Sequence, residues 1–195
     1  MKIVTVSGTC SEVGKTGLVC DLLERLPGWA AVKVTRGHYR SCGKDPETCC
    51  VSGLLGEEPR VFDDRAETAV AGKDTARYWK AGAAEVLWVV AARGQEDDGL
   101  ARALARLGAF PGVLVEGNRI VEGLTPDLAI LVARSGQKEI KVSARRIVDR
   151  MHALFVPDGT ADDPGVLVGA PGGWSRAVWG PADIDGIAAS LRGGG

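Results

Sequence analysis

The chain has no excess of charge of either sign: 24 Lys and Arg stand against 25 Asp and Glu. No run of basic residues forms a stripe, so the phosphate-backbone attraction that dominates nucleic-acid binding is missing and no nucleic-acid partner is expected. Apolar runs all fall short of the roughly 20 residues a membrane helix needs, so no membrane partner is expected either. The opening Met1-Lys2-Ile3-Val4-Thr5-Val6 reads as a strand, without the long apolar region and cleavage site of a signal peptide. Cysteines number five, an odd count not spread as a disulfide framework, and the expectation is a reducing, cytoplasmic setting. A G-x-G-x-x-G fingerprint is absent after the first strand, which removes support for a nicotinamide or flavin enzyme. The guanine-reading Asn-Lys-x-Asp is absent too, so no motif chooses between ATP and GTP. Internal repeats and domain linkers are also missing.

What is present suits one α/β domain over residues 1–195, with hydrophobic residues at 45% and charged residues at 25%. Short β-branched or apolar runs predict strands at residues 3–6, 29–35, 85–92, 112–116 and 128–133. Further short strands are expected at 60–62, 153–156 and 165–168. Between them, Val19, Leu22, Leu23 and Leu26 make a helical stripe closed by Pro27-Gly28, and Leu100, Ala103, Leu104 and Leu107 make another closed by Gly108. Helices are also expected at 74–83, with Ala76, Trp79 and Ala83 facing inward, at 143–150, and after Pro181 with Ile184, Ile187, Ala188 and Leu191. Residues 37 to about 60 show no period. Strands alternating with helices, and strands apolar on both faces, predict a doubly wound, mostly parallel sheet with helices on both sides, the P-loop NTPase architecture.

The informative segment is Gly8-Thr9-Cys10-Ser11-Glu12-Val13-Gly14-Lys15-Thr16-Gly17, which follows a strand and opens a helix. Backbone N–H groups of such a loop can turn inward to make an anion nest, and the helix start adds unpaired N–H groups and a positive dipole end. Lys15 can then reach the β- and γ-phosphates, and Thr16 can put its hydroxyl on Mg²⁺. In the usual spacing G-x-x-x-x-G-K-[ST] the first glycine would fall at Thr9; here Gly8 lies one residue earlier. Gly8, Thr9, Val13, Gly14, Lys15, Thr16 and Gly17 are therefore the candidate nucleotide-binding residues.

Glu116 ends a strand at the edge where open α/β sheets bind ligands, and its carboxylate could reach Mg²⁺ directly or through water. Asp74 at a helix start is either a further contact to the metal or nucleotide or an N-cap. Asp63 and Asp64, after the short strand at 60–62, could add another. Lys33, at a strand end, could hold a substrate anion. Lys15, Thr16 and Glu116 are the candidate catalytic residues, and Thr16, Glu116 and Asp74 the candidate Mg²⁺ ligands.

The phosphate loop resembles that of dethiobiotin synthetase over Gly8–Thr16. A longer likeness follows from Gly72-Lys73-Asp74-Thr75-Ala76-Arg77-Tyr78-Trp79-Lys80-Ala81-Gly82-Ala83 and the later Val115-Glu116-Gly117. Phosphate loop, Gly-Lys-Asp segment and Val-Glu-Gly in this order resemble the molybdopterin-guanine dinucleotide biosynthesis protein B family over roughly residues 1–133. The family usually carries a Lys-His-rich stretch after its second strand, whereas this chain has Lys33-Val34-Thr35-Arg36-Gly37-His38. That resemblance implies Mg²⁺-dependent GTP binding with slow hydrolysis, accessory to molybdenum cofactor maturation, with a molybdopterin compound or a cofactor-synthesis protein as partner. The dethiobiotin synthetase likeness implies an ATP-dependent small-molecule ligase or kinase. A third reading, a nucleotide-linked metal-handling or switch protein, comes from Cys42, Cys49 and Cys50 with His38 nearby. Thiolates and imidazole suit zinc or an iron–sulfur centre, although Cys-x6-Cys-Cys is not the paired Cys-x-x-Cys of a strong site. A second subunit, in a homodimer, could complete such a ligand set.

Overall fold

The computed structural model describes residues 1–37, 51–118, 120–137, 139–159, 163–170 and 173–193. In chain order these form β1 (Lys2–Gly8), α1 (Lys15–Leu23), β2 (Ala30–Arg36), β3 (Arg60–Phe62), α2 (Arg65–Thr68), α3 (Asp74–Lys80), β4 (Glu85–Ala91), α4 (Glu96–Arg106) and β5 (Gly112–Glu116). They continue as β6 (Leu128–Val132), α5 (Val142–Arg145), β7 (Ala153–Phe155), α6 (Pro164–Val168), β8 (Ala177–Trp179) and α7 (Ile184–Arg192).

The strands make one eight-stranded sheet in the order β3-β4-β2-β5-β1-β6-β7-β8. Every pairing is parallel except β3 with β4, so the expected doubly wound, mostly parallel sheet is the fold. Two apolar layers cover it. On one face Val4, Val6, Leu114 and Ile130 pack with Leu18, Val19 and Leu22 of α1, Tyr78 of α3, and Ile187 of α7. On the other, Val32, Leu87, Val113, Val115 and Leu131 pack with Leu100 and Ala103 of α4 and with Ile147, Val148 and Val168. A sheet buried on both sides explains why its central strands are continuous apolar runs rather than alternating ones.

Four expectations are corrected. Residues 165–168 are helix, not strand: Asp163 accepts hydrogen bonds from the N–H groups of Gly165 (2.8 Å) and Val166 (3.2 Å), Pro164 occupies the first turn, and Gly169 closes the helix at φ 64°. An N-cap, an N-terminal proline and a left-handed closing glycine outweigh the β-branched content of a five-residue segment. The final strand is instead Ala177–Trp179, beside β7. The helix expected at 143–150 is broken into α5 and a 3₁₀ turn at Val148–Arg150. The helix expected at 74–83 stops at Lys80, where Gly82 at φ 90° reverses the chain, and its fully buried aromatic side chain is Tyr78, with Trp79 only half-buried.

Candidate functional site

Strand register creates the site. In the parallel pairing of β2 with β5, Lys33 lies opposite Glu116, and in that of β1 with β5 Val6 does. Opposed residues of paired strands point to the same face. Lys33, expected at a strand end, instead lies in the middle of β2, and with Glu116 at the carboxyl end of β5 it faces the side covered by α1 and α3. The Lys33 ammonium donates to Glu116 Oε1 and, at 2.6 Å, to Asp74 Oδ2.

Helix α3 supplies the next two groups. Asp74 and Tyr78 are four residues apart and so share one helix face. Asp74 meets Lys33, and the Tyr78 hydroxyl donates to Glu116 Oε2. From α1, the Thr16 hydroxyl donates to the same oxygen at 2.9 Å. Glu116, only 1% exposed, thus accepts from three side chains that come from three different elements. A buried carboxylate is tolerated only when paired in this way.

The loop between β1 and α1 runs above this cluster. Gly14 holds φ 106° as the residue before α1, and a Cβ there would come within 2.9 Å of Pro157 Cγ. Gly8 is needed for a different reason: a Cβ would sit 2.8 Å from Val13 and 2.9 Å from the Lys15 stem. The displaced first glycine thus still clears the path of the lysine. Asn118 Oδ1 accepts from the Gly8 N–H at 3.0 Å, and Lys15 Nζ donates to the Cys10 carbonyl at 3.3 Å. On the loop's other flank Thr9 N donates to Val132 O at 3.0 Å, the Thr9 hydroxyl lies 2.6 Å from Gln137 Oε1, and Lys141 Nζ reaches Ser11 Oγ at 2.8 Å.

Between loop and cluster lies a cavity of about 500 Å³ whose walls include Ser11, Gly14, Lys15, Thr16, Asp74 and Arg77. Burial pushes the Lys15 ammonium below its ordinary value, opposed by Glu116 and reinforced by Lys33 and Lys141. Burial also pushes the Asp74 carboxyl up, but the Lys33 ion pair and the Thr16 hydroxyl outweigh it and hold the group below its ordinary value. The Tyr78 phenol is raised well above its ordinary value, by burial first and then by Glu116, and so remains a hydrogen-bond donor.

The cavity's oxygens suit a hard cation. Thr16 Oγ1, Glu116 and Asp74 offer only oxygen, as Mg²⁺ requires; both carboxylates meet the Lys33 ammonium, and Thr16 bonds to Glu116. Among the described residues no group of three or more His, Cys, Asp or Glu is placed to hold a metal ion by itself.

Lys15, Thr16, Lys33, Asp74 and Glu116 are therefore brought together, with Gly8, Gly14 and Gly17 in the loop and its turn into α1. Thr9 and Val13 are buried supports of the loop. Asp74 is not an N-cap; Lys73 occupies that position without a side-chain cap. Asp63 and Asp64 lie away from the cavity: Asp64 caps α2 through the Ala66 N–H, and Asp63 pairs with Arg106. His38, Cys42, Cys49 and Cys50 lie outside the described residues. The sequence reading missed Tyr78 and Asn118 as partners of the site; the four-residue spacing from Asp74 was the available signal for Tyr78.

Sheet, loop and cluster define the P-loop NTPase fold. No protein-family model matches the chain, and no curated protein does. Among solved structures it is similar to the crystal structure of Bacillus subtilis MobB, at 15% identity over 100% of both chains, with a TM-score of 0.45. Among the described residues no helix is long and apolar enough to cross a membrane.

Proposed function

We propose that the chain binds a purine nucleoside triphosphate, GTP on the family resemblance, with Mg²⁺ on the loop Gly8–Thr16, hydrolyses it slowly, and serves molybdopterin-guanine dinucleotide cofactor synthesis. The observation that carries the nucleotide reading is the convergence of Thr16, Lys33 and Tyr78 on buried Glu116, with Asp74 on Lys33, beneath that loop. Lys15 supplies charge to the β- and γ-phosphates, and Thr16, Asp74 and Glu116 hold the metal, which would neutralise charge on the phosphates. Tyr78 fixes the Glu116 carboxylate. Slow turnover is supported by the glutamines: Gln95 binds the carbonyls of Gly56 and Glu57, Gln137 binds Thr9 and Leu167, and neither lines the cavity to orient a water. A molybdopterin compound or a cofactor-synthesis protein is the partner this reading asks for, and it rests on the Gly72–Ala83 segment.

Calorimetric titration of ATP and GTP with Mg²⁺ into wild type and Lys15→Ala tests the reading. Loss of the lysine should weaken triphosphate binding by about 2–4 kcal/mol in a folded protein; unchanged affinity would remove the assignment. Thr16→Ala and Glu116→Gln should each weaken the Mg²⁺-dependent part and combine far less than additively, because they share one ion. Turnover with nucleotide alone should stay below about 1 per second. The alternative, phosphoryl transfer to a small acceptor as in an ATP-dependent ligase or kinase, is favoured by a second cavity beside Lys33. The zinc or iron–sulfur reading draws no support from the described residues.

A further inference from the structure

A second cavity, of about 370 Å³, adjoins the first where the ends of β2 and β5 meet the start of α4. It shares Lys15, Lys33 and Glu116 with the nucleotide cavity and adds Arg36, Glu96 and Lys141. Among its titratable walls four cations therefore face two carboxylates. Lys33 and Glu116 already satisfy each other, which leaves Lys15, Arg36 and Lys141 facing the single carboxylate of Glu96.

Glu96 makes this cavity unlike a solvated groove. It is 7% exposed, at the first turn of α4. Its Oε2 accepts from the Gly94 N–H at 2.6 Å, but its Oε1 is buried with no hydrogen-bond partner. The nearest cation, the Arg36 guanidinium, lies 3.7 Å away, an ion-pair distance too long for a hydrogen bond. Native proteins rarely leave a buried carboxylate oxygen unserved, and such an atom lining a cavity calls for a donor from outside the chain. Val34, Ile120 and Gly117 line the cavity's apolar side; a Cβ on Gly117 would come within 3.1 Å of Ile120 and 3.2 Å of Val34.

We propose that this cavity is a second-substrate site for a small hydroxy- or amino-carboxylate, the anionic group held by Arg36 and the hydroxyl or amine donating to Glu96 Oε1. The site rests on the nucleotide reading, because its shared wall, Lys15 and Lys33, places the ligand next to the terminal phosphate. An acceptor carrying both an anion and a donor is what an orphaned carboxylate oxygen facing an arginine selects.

The test uses glycerate, propionate and glycerol, which carry both groups, the anion alone and the hydroxyls alone. Each is titrated by ligand-observed NMR into the free protein and into protein loaded with Mg²⁺ and a non-hydrolysable triphosphate. Glycerate should bind about tenfold or more tightly than either of the others, and Arg36→Met should remove that gain. Glu96→Gln should remove it as well, because the single amide oxygen can serve Gly94 or the ligand but not both, leaving an N–H₂ facing the ligand's donor. Ser143→Trp, which fills the cavity from another wall, should give the same loss even if the Glu96 variant folds poorly. The triphosphate titrated alone should bind wild type and Arg36→Met within about twofold of each other, since Arg36 is not in the nucleotide cavity. Triphosphate that fails to bind wild type overturns the nucleotide reading. Triphosphate that binds, with glycerate no tighter than propionate or indifferent to all three substitutions, overturns the second site.

Discussion

The two flanks of the phosphate loop are held by different physics. On the β2–β5 side the contacts are charged: an ammonium, two carboxylates, a phenol and a hydroxyl converge in one cluster around buried Glu116. On the β6 side the contacts that hold Thr9 are neutral: backbone to backbone at Thr9–Val132, hydroxyl to amide at Thr9–Gln137, and from that amide to the Leu167 carbonyl at 2.7 Å, with the Lys141 ammonium beside them on Ser11. The neutral contacts of Thr9 anchor the loop without competing for phosphate charge. The charged flank is organised around the Lys33 ammonium and buried Glu116. Substitutions on the first flank should therefore change both stability and Mg²⁺-dependent binding, and those on the second should change stability alone.

The largest effect is expected at Glu116. Glu116→Leu leaves the Lys33 ammonium and the Tyr78 hydroxyl without their buried partner, and removal of one member of a buried ion pair costs about 3–5 kcal/mol. Urea denaturation reads the loss, and a change under 1 kcal/mol would mean that water reaches the cluster freely. Tyr78→Phe comes next. It deletes one donor to a buried carboxylate that keeps Lys33 and Thr16, a loss of about 1.5–3 kcal/mol. Triphosphate affinity measured with and without Mg²⁺ should fall more in its presence, as expected if Tyr78 fixes a metal ligand.

Thr9→Val should be milder. Valine keeps the volume and loses the hydroxyl next to Gln137 Oε1, which still accepts from the Arg134 N–H at 3.2 Å. About 1 kcal/mol of stability should go, with triphosphate affinity unchanged in calorimetry. A Mg²⁺-dependent loss of binding here would erase the distinction between the flanks.

How far this division could be read in the sequence depends on range. The loop, its glycines and the Lys15-Thr16 pair were legible because each acts within a few residues of the next, between a strand and a helix. Glu116 and Lys33 were legible singly, as polar residues in apolar strands, although Lys33 sits mid-strand rather than at the end. Their mutual contact was not, since it depends on β2 and β5 being neighbours in the sheet while lying far apart in the chain. Tyr78 was hidden by composition: in Arg77-Tyr78-Trp79 the more apolar tryptophan reads as the core residue, yet the helix turns the tyrosine to Glu116 and Trp79 bonds to Thr68 at 3.0 Å. Residues 165–168 misled for the converse reason, their local caps deciding the matter against β propensity.

The smallest effect is expected at Asp74, where the charged flank meets solvent. Its side chain is 41% exposed, so screening makes its ion pair with Lys33 worth much less than that of buried Glu116. The pair nevertheless has a signature in pH. The folded carboxyl is held below its ordinary value, so as pH falls the unfolded chain takes up its proton first. The contribution of Asp74 is therefore fully present above about pH 4, the ordinary aspartate range, and is lost as pH drops through the depressed folded value. Asp74→Asn removes the titrating group. Between about pH 5 and pH 2, wild type should lose more stability than the variant in urea midpoints taken at successive pH values, and the two should run parallel above pH 5. Parallel curves over the whole range would mean that the Lys33–Asp74 contact does not persist in solution, and that the charged flank ends at Glu116.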